Sequence, residues 1–545
     1  MTDGGVHVST AVGASGIACS RGRRTADAVV TGGRRVGACA RWARGTGLAV
    51  ALAAALLCAP RLAPPLAAQA LRGEALPVVE HVLDNGMRFL ILRRAGGPTV
   101  SFVMRYGVGS VNESAGSTGI AHLLEHMLFK GTTTIGTRDL AAELEMFPLI
   151  DAVNDSLVAE RSRPAPDSAR VAALTERLDA LEDSARTFAI PNEFDQILTR
   201  NGAGDLNAST DVEATTYHVR LPANRAKLWF VLEADRMIHP VFRGFYTERD
   251  VVMEERRMRI ETSGSGKLYE ALLAAAYHVH PYGVPVIGQM SDLRNLSRAQ
   301  AIDYYRRFYG PNNAVVAVVG QVEPDSIIAW AERYFGAIPP GDVPAPVAVR
   351  EPEQHGERRV EVVFPAEPSV LIGWHVVDQL HPDMAPLSIL ASVLAGGRTS
   401  RLYRRLVLQE ASAQSVSAFT TPGARYPQLF VIGAAPVAPH TTEELEREIY
   451  AEIERLKEAP PTAAELERIR NQLEASRVRR LRTDFGLALQ LAASASLYGD
   501  WRTTFRMTDR LLAVTAEDVQ RVARLYFTPE NRTVATLVRA PETQS

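Results

Sequence analysis

The fold class predicted for this 545-residue sequence is α+β: two homologous domains, each a mostly antiparallel sheet backed by helices, with a helical hairpin inserted into the first. Three observations predict it. The chain repeats itself: Ala301-Ile-Asp-Tyr-Tyr-Arg-Arg-Phe-Tyr-Gly-Pro311-Asn-Asn313 leads into the apolar run 314–319. Asp518-Val-Gln-Arg-Val-Ala-Arg-Leu-Tyr-Phe-Thr-Pro529-Glu-Asn531 leads into Arg-Thr-Val-Ala-Thr-Leu-Val. Each copy reads as a capped helix, a Pro-Asn turn and a strand, and the two prolines lie 218 residues apart, a domain-sized period. Strand-like runs such as 100–106 and 370–375 alternate with amphipathic helical stretches such as 442–457, the mixed order of an α+β fold. The Pro-rich, charged segment 342–358 separates the copies as a linker, leaving domains at 78–341 and 359–540.

The first 70 residues read as a leader. Between residues 21 and 44, Arg21, Arg23, Arg24, Arg34, Arg35, Arg41 and Arg44 stand against a single acid, Asp27. The apolar run 47–59 follows, then Ala68-Gln69-Ala70, an A-x-A cleavage site. The run is too short to span a bilayer, which takes about 20 residues, so no stable span is expected in the mature chain. Export to a periplasm, or secretion, is the expectation. All three cysteines (Cys19, Cys39, Cys58) fall in the leader, so no mature thiol is left to pair or to bind metal. A net charge of −2 and the lack of any basic-aromatic stretch argue against a nucleic-acid partner.

Within the first domain the run 120–129 contains no Gly or Pro and predicts a buried helix. It carries His122-Leu-Leu-Glu125-His126. Residues four apart share a helix face, so His122 and His126 can offer two imidazoles to one metal. Glu125, one residue before the second histidine, can polarise a water on that metal without ligating it. Two histidines and an acid are costly to bury among Ile, Leu, Met and Phe without a shared partner.

From Phe147 to Arg200 the sequence turns polar and rich in Ala, Glu and Arg, with Arg163-Pro-Ala-Pro166 midway. Val171, Leu174, Leu178 and Leu181 form one apolar stripe at helical spacing, which predicts the inserted hairpin. Its stripe asks only for local packing, so it reads as a decoration before a lid or partner contact. In the second domain, Ser388-Ile-Leu-Ala-Ser-Val-Leu394 stands where the histidine helix should recur and carries neither histidine nor acid.

Several blocks in order resemble the pitrilysin/insulinase family of inverted-motif zinc peptidases, most closely its bacterial processing-peptidase-like branch. They are Gly119 to Thr132, Leu206-Asn-Ala-Ser-Thr210 with Tyr217, Ala234-Asp-Arg-Met237, Glu248-Arg-Asp-Val-Val-Met-Glu-Glu255, His280-Pro-Tyr282, Pro311-Asn-Asn313 and Gly397-Arg-Thr-Ser-Arg-Leu-Tyr403. The resemblance covers nearly all of 78–540. It implies one Zn2+ per chain, held by His122, His126 and a third ligand, Glu255, with Glu248 supporting the site. Read from the residues alone, Glu248, Glu254 and Glu255 among arginines are equally a solvated charged face. His126 and Glu255 are 129 residues apart, wider than the family's interval, and the inserted hairpin accounts for the excess of roughly 50 residues.

A His2Glu set favours zinc over manganese or cobalt and leaves a position for water. The resemblance then implies an endopeptidase for oligopeptides or unfolded segments, with Glu125 as general base toward the attacking water. Asn207, Ala208 and Tyr217 would hold the peptide as an added strand. Self-sufficient members carry an Arg and, seven residues on, a Tyr in the second half; Val407 and Gln414 stand there here, unless Arg401, Tyr403 or Arg404 serve instead. The implied partner is a homologous subunit supplying that pair, or a second copy in a homodimer. The competing reading is a non-catalytic structural or assembly subunit, since some relatives have lost catalysis.

Overall fold

The computed structural model describes residues 76–540; the expected leader, its cleavage site and the three cysteines lie outside the described residues. The chain builds two mixed sheets. The first contains β1 (Val79–Val82), β2 (Arg88–Arg93), β3 (Thr99–Tyr106), β4 (Gly204–Thr210), β5 (Thr215–Pro222) and β6 (Ala314–Gly320) in the order β1-β2-β6-β3-β5-β4. The second contains β7 (Arg358–Phe364), β8 (Ser369–Val376), β9 (Ala413–Thr421), β10 (Gln428–Pro436) and β11 (Arg532–Arg539) in the order β7-β11-β8-β10-β9. Each has one parallel pair, β2–β6 and β7–β11; the other neighbours are antiparallel. Once β1 is set aside, the two orders match term by term.

The sequence repeat explains the match. The helices Arg298–Phe308 and Ala516–Tyr526 each open on a capping box, Ser297 with Gln300 and Thr515 with Asp518. Each then turns through its proline into a strand, β6 or β11, that lies inside its sheet with neighbours on both sides. β6 is buried along nearly all its length, which is why it reads as an unbroken apolar run rather than an alternating one.

The insertion is larger than the stripe suggests. It begins with α2 (Leu140–Arg161), which follows the shorter α1 (Ile120–Met127), and continues through α3 (Ser168–Arg186) and α4 (Glu193–Arg200). α2 and α3 pack on each other across the Arg163–Pro166 turn, with Leu178 and Leu181 buried between them and the core. α2 starts seven residues before Phe147, capped by Asp139, and runs through Pro148. The missing proline N–H leaves the Leu144 carbonyl without its helical partner, and Leu144 is 46% exposed, so water can take its place.

Two helices cross between the halves. α5 (Phe245–Arg256) stays with the first sheet, but α6 (Gly264–Ala276) packs Leu268, Leu272 and Leu273 against Leu429, Val431 and Leu537 of the second. In return α7 (Asp484–Tyr498) packs Leu487, Ala488 and Leu491 against Leu90, Val103 and Val319 of the first. Each buried leucine contributes roughly 1.5–3 kcal/mol, so neither sheet is complete without the other half's helix.

A polar joint adds to this. Buried Glu213, in the β4–β5 turn, accepts N–H bonds from Ala424 (3.0 Å) and Arg425 (2.6 Å) in the β9–β10 turn, and the hydroxyl of Tyr282. No helix among the described residues is long and apolar enough to cross a membrane.

Candidate metal centre

α1 is buried along its whole length and enters from Gly119 at φ +90°, a left-handed conformation that favours glycine. A Cβ at Gly119 would also fall 2.6 Å from the Ile287 carbonyl oxygen. The first turn is held from outside: Glu113 accepts from the N–H groups of Gly119 and Ala121, both at 2.8 Å. Burial pushes the Glu113 carboxyl up to about 8, against those two bonds. α5 crosses α1 and presents Glu248 and Glu255, two turns apart, on one face.

The predicted ligands come together. Nε2 of His122 lies 3.8 Å and Nε2 of His126 3.6 Å from Oε2 of Glu255. Ligand atoms from the three residues all fall within 4.8 Å of one another. Glu248 accepts from Nδ1 of His126 at 2.9 Å through Oε1, and Lys130 pairs with its other oxygen. That bond leaves Nε2 of His126 turned toward Glu255, the arrangement of a carboxylate-oriented metal ligand. Arg259 Nη2 lies 2.7 Å from Oε1 of Glu255, at a π-helical turn (Arg257–Glu261) that continues α5.

A metal fits these residues on a further ground. Nε2 of His122 and Nε2 of His126, the nitrogens that face Glu255, are both buried without a hydrogen-bond partner. Orphaned polar atoms converging on one point are expensive unless a cation shares them. Burial holds His122 well below the usual histidine range, the neutral state a ligand requires. Burial acts the same way on His126, but the hydrogen bond and charge of Glu248 outweigh it and raise it. Glu248 is held at about 2: burial would raise it, and His126 and Lys130 prevail. Glu125 is pushed up to about 7 by burial, with the Thr210 bond pulling the other way.

The remaining predicted residues flank this centre. Asn207 and Ala208 lie on β4, an edge strand of the first sheet, whose only strand neighbour among the described residues is β5. Asn207 is half-buried, whereas the Ala208 side chain is buried. Tyr217 pairs with Ala208 in register, but its ring is buried beneath Arg236, 4.5 Å from the guanidinium, so it borders the site from inside. Four neighbours escaped sequence reasoning: Glu113, Lys130, Thr210 and Arg259. Only Lys130, one turn beyond His126, had a positional signal. A cleft of about 680 Å3 lies behind α5, between it and the inserted hairpin, and is separate from the histidines. In the second half the helix Met384–Ala395 carries no comparable donors, and Arg401 is bound to Glu465.

Two related halves, each a mixed sheet with helices, and a buried His-x-x-Glu-His helix in the first define a class, the two-half α/β peptidases. The chain belongs to the insulinase family, peptidase family M16: residues 88–151 and 171–289 match the insulinase profile, and 295–473 match the M16 inactive domain. It is 28% identical to the zinc protease PqqE of Helicobacter pylori, across 83% of this chain and 91% of that protein. It is 23% identical to an uncharacterised zinc protease of Bacillus subtilis, YmxG, across 83% and 96%. The crystal structure of a Helicobacter pylori protease superposes with a TM-score of 0.71 at 26% identity, covering 85% of this chain and 99% of that one.

Proposed function

We propose that the chain is an exported, zinc-dependent endopeptidase for oligopeptides or unfolded segments, and the zinc-bearing member of a two-chain assembly. The convergence of His122, His126 and Glu255 beside Glu125 carries this reading. The zinc proteases among its relatives support the metal. Zinc held by these three residues would supply Lewis acidity toward a water and the scissile carbonyl. Glu125 takes the water's proton through its unbonded Oε1 and delivers it to the leaving amine. Glu248 fixes the His126 ring, and the β4 edge, with Asn207 and Ala208, receives the peptide main chain as a further strand while Tyr217 backs it.

In this reading residues 78–341 form the zinc-bearing domain, 342–358 the linker and 359–540 the enclosing domain. The match of the second half to an inactive domain fits an enclosing role there. A wholly non-catalytic assembly subunit is the second reading; the intact donor set in the first half weighs against it. Export rests on the Arg-rich leader and its A-x-A site.

The test is hydrolysis of a quenched peptide library by the zinc-loaded chain, with Glu125→Gln as control. Turnover lost in Glu125→Gln supports the peptidase. A chain that takes up no zinc, or turnover equal in the control, removes the reading. Zinc uptake with no turnover directs the search to the second subunit.

A further inference from the structure

Glu125 is anchored by a residue outside its own helix. The Thr210 hydroxyl donates to Oε2 of Glu125 at 2.5 Å, and both side chains are buried. A carboxylate offers only acceptors when ionised, so the hydroxyl can serve it without competing for its proton-accepting role. The other oxygen, Oε1, has no hydrogen-bond partner. One oxygen is thereby fixed and the other left to receive a proton.

Thr210 is itself held firmly. It is the last residue of β4 and pairs with Thr215 across the β4–β5 turn. Asp211, next in the chain, accepts from the N–H groups of Glu213 (2.7 Å) and Ala214 (2.8 Å) through Oδ1 and from Arg105 (2.9 Å) through Oδ2. Glu213, two residues further, is bound by the backbone of the second half. The turn that carries Thr210 is therefore fixed on one side to β3 and on the other to the β9–β10 turn. Thr210 also ends the strand whose edge would receive the peptide.

We infer that Thr210 is a positioning residue: it orients the Glu125 carboxylate, and through the β4–β5 turn it makes that orientation depend on the peptide strand and on the second half. This rests on the peptidase reading above. It requires that loss of the hydroxyl affect what Glu125 does while leaving metal uptake intact, because Thr210 touches none of the three proposed ligands' donor atoms.

The test is a mutant cycle on inhibitor binding, which needs neither turnover nor a partner. A peptide hydroxamate, whose zinc-chelating group exchanges a proton with Glu125, is titrated calorimetrically into the zinc-loaded full chain. The variants are Thr210→Val, Thr210→Ser, Glu125→Gln and the double Glu125→Gln/Thr210→Val. Thr210→Val is expected to weaken the hydroxamate roughly tenfold, the worth of one hydrogen bond to a charged group, at unchanged zinc stoichiometry. Thr210→Ser, which keeps the hydroxyl, should bind within about twofold of wild type. In the Glu125→Gln background Thr210→Val should add little, since the two residues act as one unit.

Equal losses in both backgrounds, a serine variant as weak as valine, or no loss in Thr210→Val would each overturn the inference. Should Thr210→Val fail to fold, Thr210→Ala carries the same cycle. A wild-type chain that binds no zinc overturns the peptidase reading and this inference together, whereas zinc uptake with an unchanged Thr210→Val overturns only the inference.

Discussion

Nδ1 of His126 and Oε1 of Glu248 meet at 2.9 Å, and Lys130 neutralises the other oxygen of that glutamate. The bond decides which ring nitrogen faces Glu255. Glu248→Gln keeps a polar contact but loses the charge, and outer-shell partners of this kind typically account for 10–100-fold in metal affinity. Zinc affinity, measured by competition with a chromogenic chelator, should therefore fall by about tenfold or more. The fold should persist, because Glu248 lies at the edge of the core, 13% exposed. Unchanged affinity would show that the α1–α5 packing alone sets the imidazole.

The histidines and Glu125 were legible because their relation is local: a helix of known pitch fixes which residues share a face. The duplication of the halves was legible for a similar reason, since Pro311 and Pro529 mark the same helix–turn–strand unit twice, although the strand order within each sheet was not. Glu255 was visible only through resemblance; in its own segment it looks like one acid in a charged run. Glu113 and Arg259 carried no readable signal, and Thr210 stood only as the end of a resembling block with no role read for it, because each reaches the centre across tertiary space. The crossing of α6 and α7 was hidden for another reason. An apolar stripe such as Leu268, Leu272 and Leu273 states that a face is buried, not which sheet buries it.

Glu213 makes the joint between halves testable. It is 4% exposed and takes backbone N–H groups from Ala424 and Arg425 and the Tyr282 hydroxyl. Glu213→Ala leaves three donors without their acceptor, of which the Tyr282 hydroxyl belongs to a fully buried residue. Hydrogen bonds to a charged group are worth about 1.5–3 kcal/mol, so a loss of about 3 kcal/mol is expected, read as a lower guanidinium midpoint. The α6 and α7 exchange should still hold the halves together, so one unfolding transition is expected. A midpoint within error of wild type would mean that solvent replaces the joint.

Arg401 offers a pH test. Its guanidinium donates to both oxygens of Glu465, at 2.7 and 3.0 Å, and those bonds hold Glu465 at about 2 against an ordinary value near 4.5. A carboxyl depressed in the folded state stabilises it above the unfolded value. That contribution is complete above about pH 4.5 and disappears as pH falls toward 2. Discounted for the partial exposure of the pair, it is on the order of 1 kcal/mol. Wild type and Glu465→Gln should differ by that amount at pH 7, and their denaturation midpoints should converge between pH 4.5 and 2. Curves that stay parallel across the window would sink the assignment.

The same pair bears on the proposed second subunit. With Arg401 bound to Glu465 and 3.5 Å from Glu452, it is committed within its own half and poorly placed to reach a peptide. Val407 and Gln414 stand at the positions where the sequence resemblance expects an Arg and a Tyr. Val407 lies in the π-helical turn Tyr403–Gln409, partly buried against the second core, and Gln414 is exposed on the edge strand β9. A longer side chain at 407 can keep its stem on that core and extend its head to solvent. Between them Ala411 adopts φ +50°, a left-handed conformation costly for a non-glycine residue, so the turn is set by its surroundings and should survive both substitutions. Val407→Arg/Gln414→Tyr is therefore expected to raise peptide turnover of the isolated chain by about tenfold or more, a modest share of what charge stabilisation in a site can supply. The single variants should give less than the pair. An isolated wild-type chain already at full turnover, with no gain from the double variant, would end the case for a missing partner.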